Sequence, residues 1–444
     1  MNEDLQKRYK HNSNMFLISY IFMGIMSGMA FDVLVTFLNQ VAPTVAKSYS
    51  VWMGAATLLT ALMVALAPKI GYKKIIISGP IISIAALVLV KFSDNTFSSI
   101  AITLGLLIGV VLFDAILPPF LTQYTTVENR DKVFSRVMYT NVMGMALASF
   151  TGGMLVVYRF AARLGISYSE AKALSGKIAE FTKDQNAAYT LAHKDALLMF
   201  IIVSIAALIP LFLLKEVKED YAAKEEAGKK KFDLKVLANK YALLYLVYNF
   251  LIRFGAGLIT PYFAIFLGSL GIDRATVSML VTLQTLAMCI FMMFSPWLVK
   301  KFGRVVSIGG LAAISIPFML IIGNGDKFGS MMVLAVGAGL FFRSGFMNAA
   351  NPIVQSLPME FVTKELRPAY SSIIFVSQSV ATTLAGFFTA GFLFNDKFFG
   401  NSGYRLAYYV TAVMYSIAII IMLTQFTKKF NRQQTDDKKE EKVA

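Results

Sequence analysis

The chain has little of what covalent and metal chemistry needs. Its one cysteine, Cys289, sits in an apolar run, which excludes a disulfide framework and most metal sites. The two histidines, His11 and His193, lie in polar stretches, so no zinc or haem cluster is visible and no apolar segment offers a histidine for catalysis. A phosphate loop is also missing: Gly176-Lys177 is followed by Ile178, without a glycine five residues before Gly176. Charge is scarce, at 15% of residues, where soluble chains carry about 25%. These absences argue against an enzyme and against an ATP-driven machine. No catalytic residue, metal or cofactor is expected.

Apolar length is what the chain has instead. Hydrophobic residues make up 57% of its 444 positions, and the mean hydropathy is strongly positive. The charged stretch 215–240, with eight lysines and six acidic residues, divides two apolar blocks. Each block breaks into six segments near the ~20 residues a bilayer-crossing helix needs. The spans read 15–38, 48–67, 75–92, 97–121, 134–157, 196–214, 241–267, 275–299, 305–322, 329–357, 368–394 and 405–426. The expected fold is an all-α membrane protein of twelve transmembrane helices in two six-helix bundles, 1–214 and 241–426. Residues 215–240 form a linker, and the charged segment 427–444 is read as a disordered tail.

A net charge of +16 could suggest nucleic acid, but the basic residues gather in short loops between apolar runs, as the positive-inside rule describes. The termini, the linker and the loops after spans 2, 4, 8 and 10 hold 28 Lys and Arg, and the opposite loops hold 12. Both termini are therefore placed in the cytoplasm, and no nucleic-acid partner is expected. Residues 158–195 form an insertion on the outer side, where the capping-box spacing of Ser167 and Glu170 predicts a surface helix. It reads as a solvated cap, a lid or a partner contact. A long apolar run from Met15, without a cleavage site, reads as a retained first span. The absence of N-x-Ser/Thr sites fits a bacterial inner membrane.

The two blocks repeat each other. After span 2 the chain reads Ala67-Pro68-Lys69-Ile70-Gly71-Tyr72-Lys73-Lys74, and after span 8 it reads Val299-Lys300-Lys301-Phe302-Gly303-Arg304. Glu128-Asn129-Arg130 follows span 4 and Glu365-Leu366-Arg367 follows span 10. The near-constant offset points to duplicated halves, a device by which many transporters build a site open alternately to each side. In these motifs the chain resembles the major facilitator superfamily over nearly its whole length. The resemblance implies two pseudo-symmetric bundles, a cavity lined by spans 1, 4, 7 and 10, and a cytoplasmic gate at Gly71, Lys73, Arg130, Gly303, Arg304 and Arg367. The family's early Asp in the turn is replaced here by Pro68 and Lys300. Span 5, Gly144-Met145-Ala146-Leu147-Ala148-Ser149-Phe150-Thr151-Gly152-Gly153, resembles the family's antiporter motif without its Gly-Pro. Close helix packing by small residues explains the same stretch.

A charge within the bilayer costs at least about 2.5–3.5 kcal/mol, so each needs a reason. Asp32 in span 1, Asp114 in span 4, Arg253 in span 7 and Arg343 in span 10 all fall on the helices the resemblance assigns to the cavity. Gly24 and Gly28 precede Asp32 on one face and would admit a neighbouring helix. Asp32 reads as a proton-coupling site, a cation partner, or a carboxylate paired near the outer end. Asp114, ahead of Pro118-Pro119, reads as a proton-coupling site or an ion-paired group. Arg253 continues a stripe through Asn249, Gly257 and Pro261 and can grip a carboxylate or phosphate bidentately. Arg343 is followed by Asn348 and Asn351, and Asn351-Pro352 matches the place of the span 4 prolines. Gln284 and Gln378 are further polar candidates.

The expected function is a secondary transporter of a small organic solute, anionic or zwitterionic, working by alternating access with proton coupling, as a monomer. The alternatives are an exporter of lipophilic, drug-like cations, or a transporter-like receptor without flux.

Overall fold

The structure is a computed structural model that describes residues 3–92, 95–124, 130–217, 238–362 and 367–431. Among the described residues, eleven helices are long and apolar enough to cross a membrane: Gln6–Val41, Tyr72–Phe92, Thr96–Leu117, Arg136–Leu164, Lys183–Phe212, Lys240–Ser269, Arg274–Met292, Arg304–Gly323, Gly325–Val354, Ser372–Leu393 and Ser402–Phe430. A shorter apolar helix, Tyr49–Val64, falls second in order and completes twelve. An even number of crossings leaves both chain ends on one side. Most of the linker, 218–237, and the tail from 432 lie outside the described residues. The tail's first residues are helical: span 12 runs on to Phe430, whose ring packs 4.7 Å from Phe361.

Contacts group the chain into two compact units, Met1–Lys230 with Pro261–Thr285, and Lys231–Thr260 with Leu286–Ala444. Within the first unit, small residues seat span 5 on span 1. A Cβ on Gly24 would overlap the Asn141 carbonyl oxygen, and one on Gly28 would stand 2.9 Å from Ala148 Cβ. Gly144 and Gly152 complete this face against Ile21, Ile25 and Val33. The small-residue stretch of span 5 is thus a packing surface, where backbones meet because nothing larger fits.

The insertion 158–195 is largely helical. Span 5 extends to Leu164, a short helix covers Tyr168–Leu174, and the sixth helix begins at Lys183. Capping boxes start the last two, Ser167 with Glu170 and Thr182 with Gln185. Arg159 and Arg163, one turn apart, both hold Asp195 at 2.8–2.9 Å. Phe160, Phe181 and Tyr189 form an aromatic core with centroids 5.0–5.6 Å apart. The segment is a packed helical hairpin whose outer residues are largely exposed.

The repeated turns also correspond in detail. Gly71 and Gly303 both take positive φ, 105° and 85°, a backbone region that glycine enters without strain. Each turn is capped from beyond the last helix of its own half. Glu216 accepts from Tyr72 N–H at 2.7 Å and Lys73 N–H at 3.2 Å. Asn431 accepts from Arg304 N–H at 3.0 Å and, through Oδ1, from Val306 N–H at 2.9 Å. Orphan N–H groups at a helix start need such acceptors.

Candidate functional site

In the first unit, span 1 is interrupted by a π-helical turn at Ala30–Leu34 that contains Asp32. Such a widened turn displaces carbonyls from the helical ladder. Tyr49 Oη donates to Ala30 O at 2.7 Å and Thr36 Oγ1 to Asp32 O at 2.9 Å. Asp32 is wholly buried, and Arg274, 4% exposed, places Nη1 2.8 Å from its Oδ1. Ser278 links the two. It accepts from Arg274 Nη1 at 2.9 Å and donates to Asp32 Oδ2 at 2.7 Å. At Oδ1 the contact is ionic without hydrogen-bond alignment, and the aligned bonds run through Ser278. Gly153 makes room for this corner, since a Cβ there would overlap Ser278 Oγ.

Arg274 is the residue that sequence reasoning missed. It precedes the apolar run of span 8 and so counted as a loop charge. Its four-residue spacing to Ser278 was the available signal. His193 needs a correction. It lies within the crossing helix Lys183–Phe212, fully buried, its ring edge-on to Tyr189 at 4.6 Å. The flanking Lys194 and Asp195 hid a buried face that continues through Tyr189, Ala196, Leu197 and Phe200.

Asp114 is set differently. Tyr20 of span 1 donates a short hydrogen bond to its Oδ1, so the carboxylate turns toward span 1. It stays accessible in mid-span, and no lysine or arginine among the described residues of its unit stands within ion-pair distance. Gln284, also in this unit, is buried with Oε1 lacking a protein partner.

In the second unit, Arg253 lies on the face of span 7 that looks into the bundle. One turn on, Gly257 meets Ala385, and the neighbouring Gly255 meets Tyr415. Tyr415, Tyr245 and Tyr248 are electrostatic neighbours of the guanidinium, and no carboxylate among the described residues of the unit pairs with it. Its side chain remains accessible, while Asn249, one turn before, is 3% exposed with Oδ1 unpartnered. Arg343 is buried beside Tyr408. Asn351 Nδ2 donates to Asn348 Oδ1, and Asn348 Nδ2 to Ser344 O, both at 2.8 Å. The helix breaks at Ala350 and restarts at Asn351 with Pro352 in its first turn. Gln378 lies half-buried in span 11, its carbonyl accepting from Thr382.

Of the residues at the repeated turns, Lys73 Nζ donates to Phe212 O and Leu214 O at 2.8 and 2.7 Å, closing the end of span 6. Arg304 forms an ion pair with Glu360. Arg130 and Arg367 begin helices, and their side chains lie outside what the structure describes.

Comparison with known proteins agrees with this architecture. The family model described as Major Facilitator Superfamily matches residues 46–386 and 245–443. The chain belongs to this family of secondary transporters. Similar solved structures include the D-xylose-proton symporter, with TM-score 0.68 at 14% identity over 93% of this chain and 98% of that one. The partially occluded inward-open xylose transporter XylE from E. coli has TM-score 0.66 at 13% identity, covering 94% and 98%. The nucleoside transporter NupG has TM-score 0.63 at 14% identity, covering 93% and 99%. At such identity the likeness concerns the fold. No curated protein sequence matches the chain.

Proposed function

We propose that the chain moves a small anionic or zwitterionic organic solute by alternating access, coupled to protons, as a monomer in the plasma membrane with cytoplasmic termini. The observation that carries the solute class is Arg253, an accessible guanidinium in mid-span with no carboxylate partner among the described residues of its unit. An unpaired charge there is costly unless a ligand uses it. Arg343, Asn249, Asn348, Asn351 and Gln284 are the further polar groups for a solute. Asp114 is the proton-coupling group, its hydrogen bond among the described residues coming from a tyrosine that tolerates either protonation state. The turns at Gly71 and Gly303, with Lys73, Arg130, Arg304 and Arg367, serve the cytoplasmic gate. Xylose and nucleosides, named for the similar structures, belong in any solute panel.

A thermal-shift screen of the purified protein against organic anions, zwitterions, sugars, nucleosides and lipophilic cations at two pH values tests this. A ligand at ~100 times its Kd adds about 2.7 kcal/mol of stability. Stabilisation by anions or zwitterions that vanishes in Arg253→Ala is the expected result. Stabilisation by cations that vanishes in Asp114→Asn would replace it with cation export, the reading favoured by the absence of a basic partner for Asp114 among the described residues of its unit.

A further inference from the structure

We propose that the hairpin 158–195 is the clamp of the gate on the side opposite the chain ends, with Ser175 as the positioning residue that holds Arg274 against Asp32. The inference rests on the transporter reading and adds the device that keeps that side shut.

The contact is made by the Ser175 hydroxyl to backbone groups. Ser175 ends the short helix Tyr168–Leu174 and is 1% exposed. Its Oγ accepts from Arg274 N–H at 3.1 Å and donates to Lys172 O at 2.7 Å. Arg274 opens span 8, so this N–H is one that the helix cannot satisfy itself. Beside it, Gly176 lies against Gly271 so closely that a Cβ would stand 2.9 Å from the Gly271 carbonyl oxygen. The hairpin therefore fixes where span 8 begins, and with it the origin of the Arg274 side chain. From there the guanidinium reaches Ser278 and the Asp32 carboxylate in the π-helical turn.

Two features favour a gate over a permanent strut. The pair is buried, so a small withdrawal of span 8 takes it from tight pairing to two separated charges, which water must then enter to solvate. That gives two discrete arrangements, as a gate requires. Second, the closed arrangement is incompletely satisfied. Arg274 Nε and Nη2 and His193 Nε2 are buried without partners among the described residues. A wholly structural network would be expected to satisfy its members. The hairpin's contact at Ser175 supplies part of the closing bias that the pair lacks.

The test reads accessibility, independent of solute. Thr282 lies one turn past Ser278 and faces the Ala146 carbonyl of span 5. In a Cys289→Ala background, Thr282→Cys is labelled with a membrane-impermeant maleimide applied from the side opposite the termini. Ser175→Ala is expected to speed labelling roughly two- to tenfold, the weight of one hydrogen bond. Ser175→Thr, which keeps the hydroxyl, should restore the slow rate, and Asp32→Asn should speed it further. Should Ser175→Ala fail to reach the membrane, Gly176→Ala loosens the same contact and is expected to speed labelling likewise. Unchanged labelling in the Ser175 and Gly176 variants, with Asp32→Asn faster, removes the hairpin from the gate. Unchanged labelling in all variants overturns both clamp and gate. Absence of flux for every solute, with labelling still responsive, sinks the transport reading and leaves the clamp standing.

Discussion

Asp32 and Asp114 have the same side chain and a similar apolar setting, yet their neighbours assign them different work. Asp32 is buried against a guanidinium and a serine hydroxyl, so its position is fixed. Asp114 has a tyrosine hydroxyl, accessible surface and no basic partner among the described residues of its unit, the setting expected of a proton-coupling group. Asp114→Asn is therefore expected to abolish pH-driven uphill movement while solute counterflow persists. Uphill uptake under an imposed pH gradient, measured beside counterflow, checks this, and unchanged uphill uptake would exclude Asp114 as the coupling group. For Asp32 the prediction concerns stability. Removing one partner of a buried pair costs about 3–5 kcal/mol, whereas apolar replacement of both can be nearly neutral. Arg274→Gln should lower Tm sharply, and Asp32→Leu with Arg274→Met should recover most of the loss. Asp32 was legible in the sequence as a charge in an apolar run. Its partner was not, because Arg274 lies 242 residues away at a helix start, where basic residues are common.

At the scale of elements, the seam between spans 1 and 5 shows what periodicity can convey. Gly24 and Gly28 on one helix and Gly144, Ala148 and Gly152 on the other stand four apart, and the structure brings both stripes together. Gly24→Leu would drive a side chain into the Asn141 carbonyl and should prevent recovery of a monodisperse protein, whereas Gly310→Leu, where a Cβ meets nothing within 4 Å, should be tolerated. Size-exclusion profiles of the two variants decide. The hairpin was half legible: its capping box announced a helix, while its aromatic core and its dock on span 8 depend on distant residues. The backbone N–H and hydroxyl of Ser167 hold Glu170 below the usual carboxylate range. A carboxyl lowered in the folded state contributes stability above its unfolded pKa, and that contribution is lost as pH falls through the folded one. Amide exchange in 168–174, corrected for intrinsic rates, should therefore show full protection at neutral pH and weakened protection below about pH 4. Protection unchanged at low pH would show that the box contributes little.

For the whole molecule, twelve apolar runs, a charged centre and repeated glycine turns made the architecture readable before any coordinates. What pattern alone could not show was which acceptors cap the turns, since Glu216 and Asn431 reach them from beyond the final helix of each half. The same limit applies to chemistry: sequence names Arg253, and only its surroundings show it accessible, near three tyrosines and without a carboxylate partner among the described residues of its unit. The central claim is that this guanidinium binds an anionic or zwitterionic solute that the protein carries across a bilayer. Its most direct test is radiolabelled uptake into proteoliposomes of the anion or zwitterion that most stabilises the protein, in wild type, Arg253→Lys and Arg253→Ala. The account predicts uptake in wild type, weakened uptake in Arg253→Lys, which keeps charge without the bidentate fork, and none above empty liposomes in Arg253→Ala. Equal uptake by wild type and Arg253→Ala would contradict it.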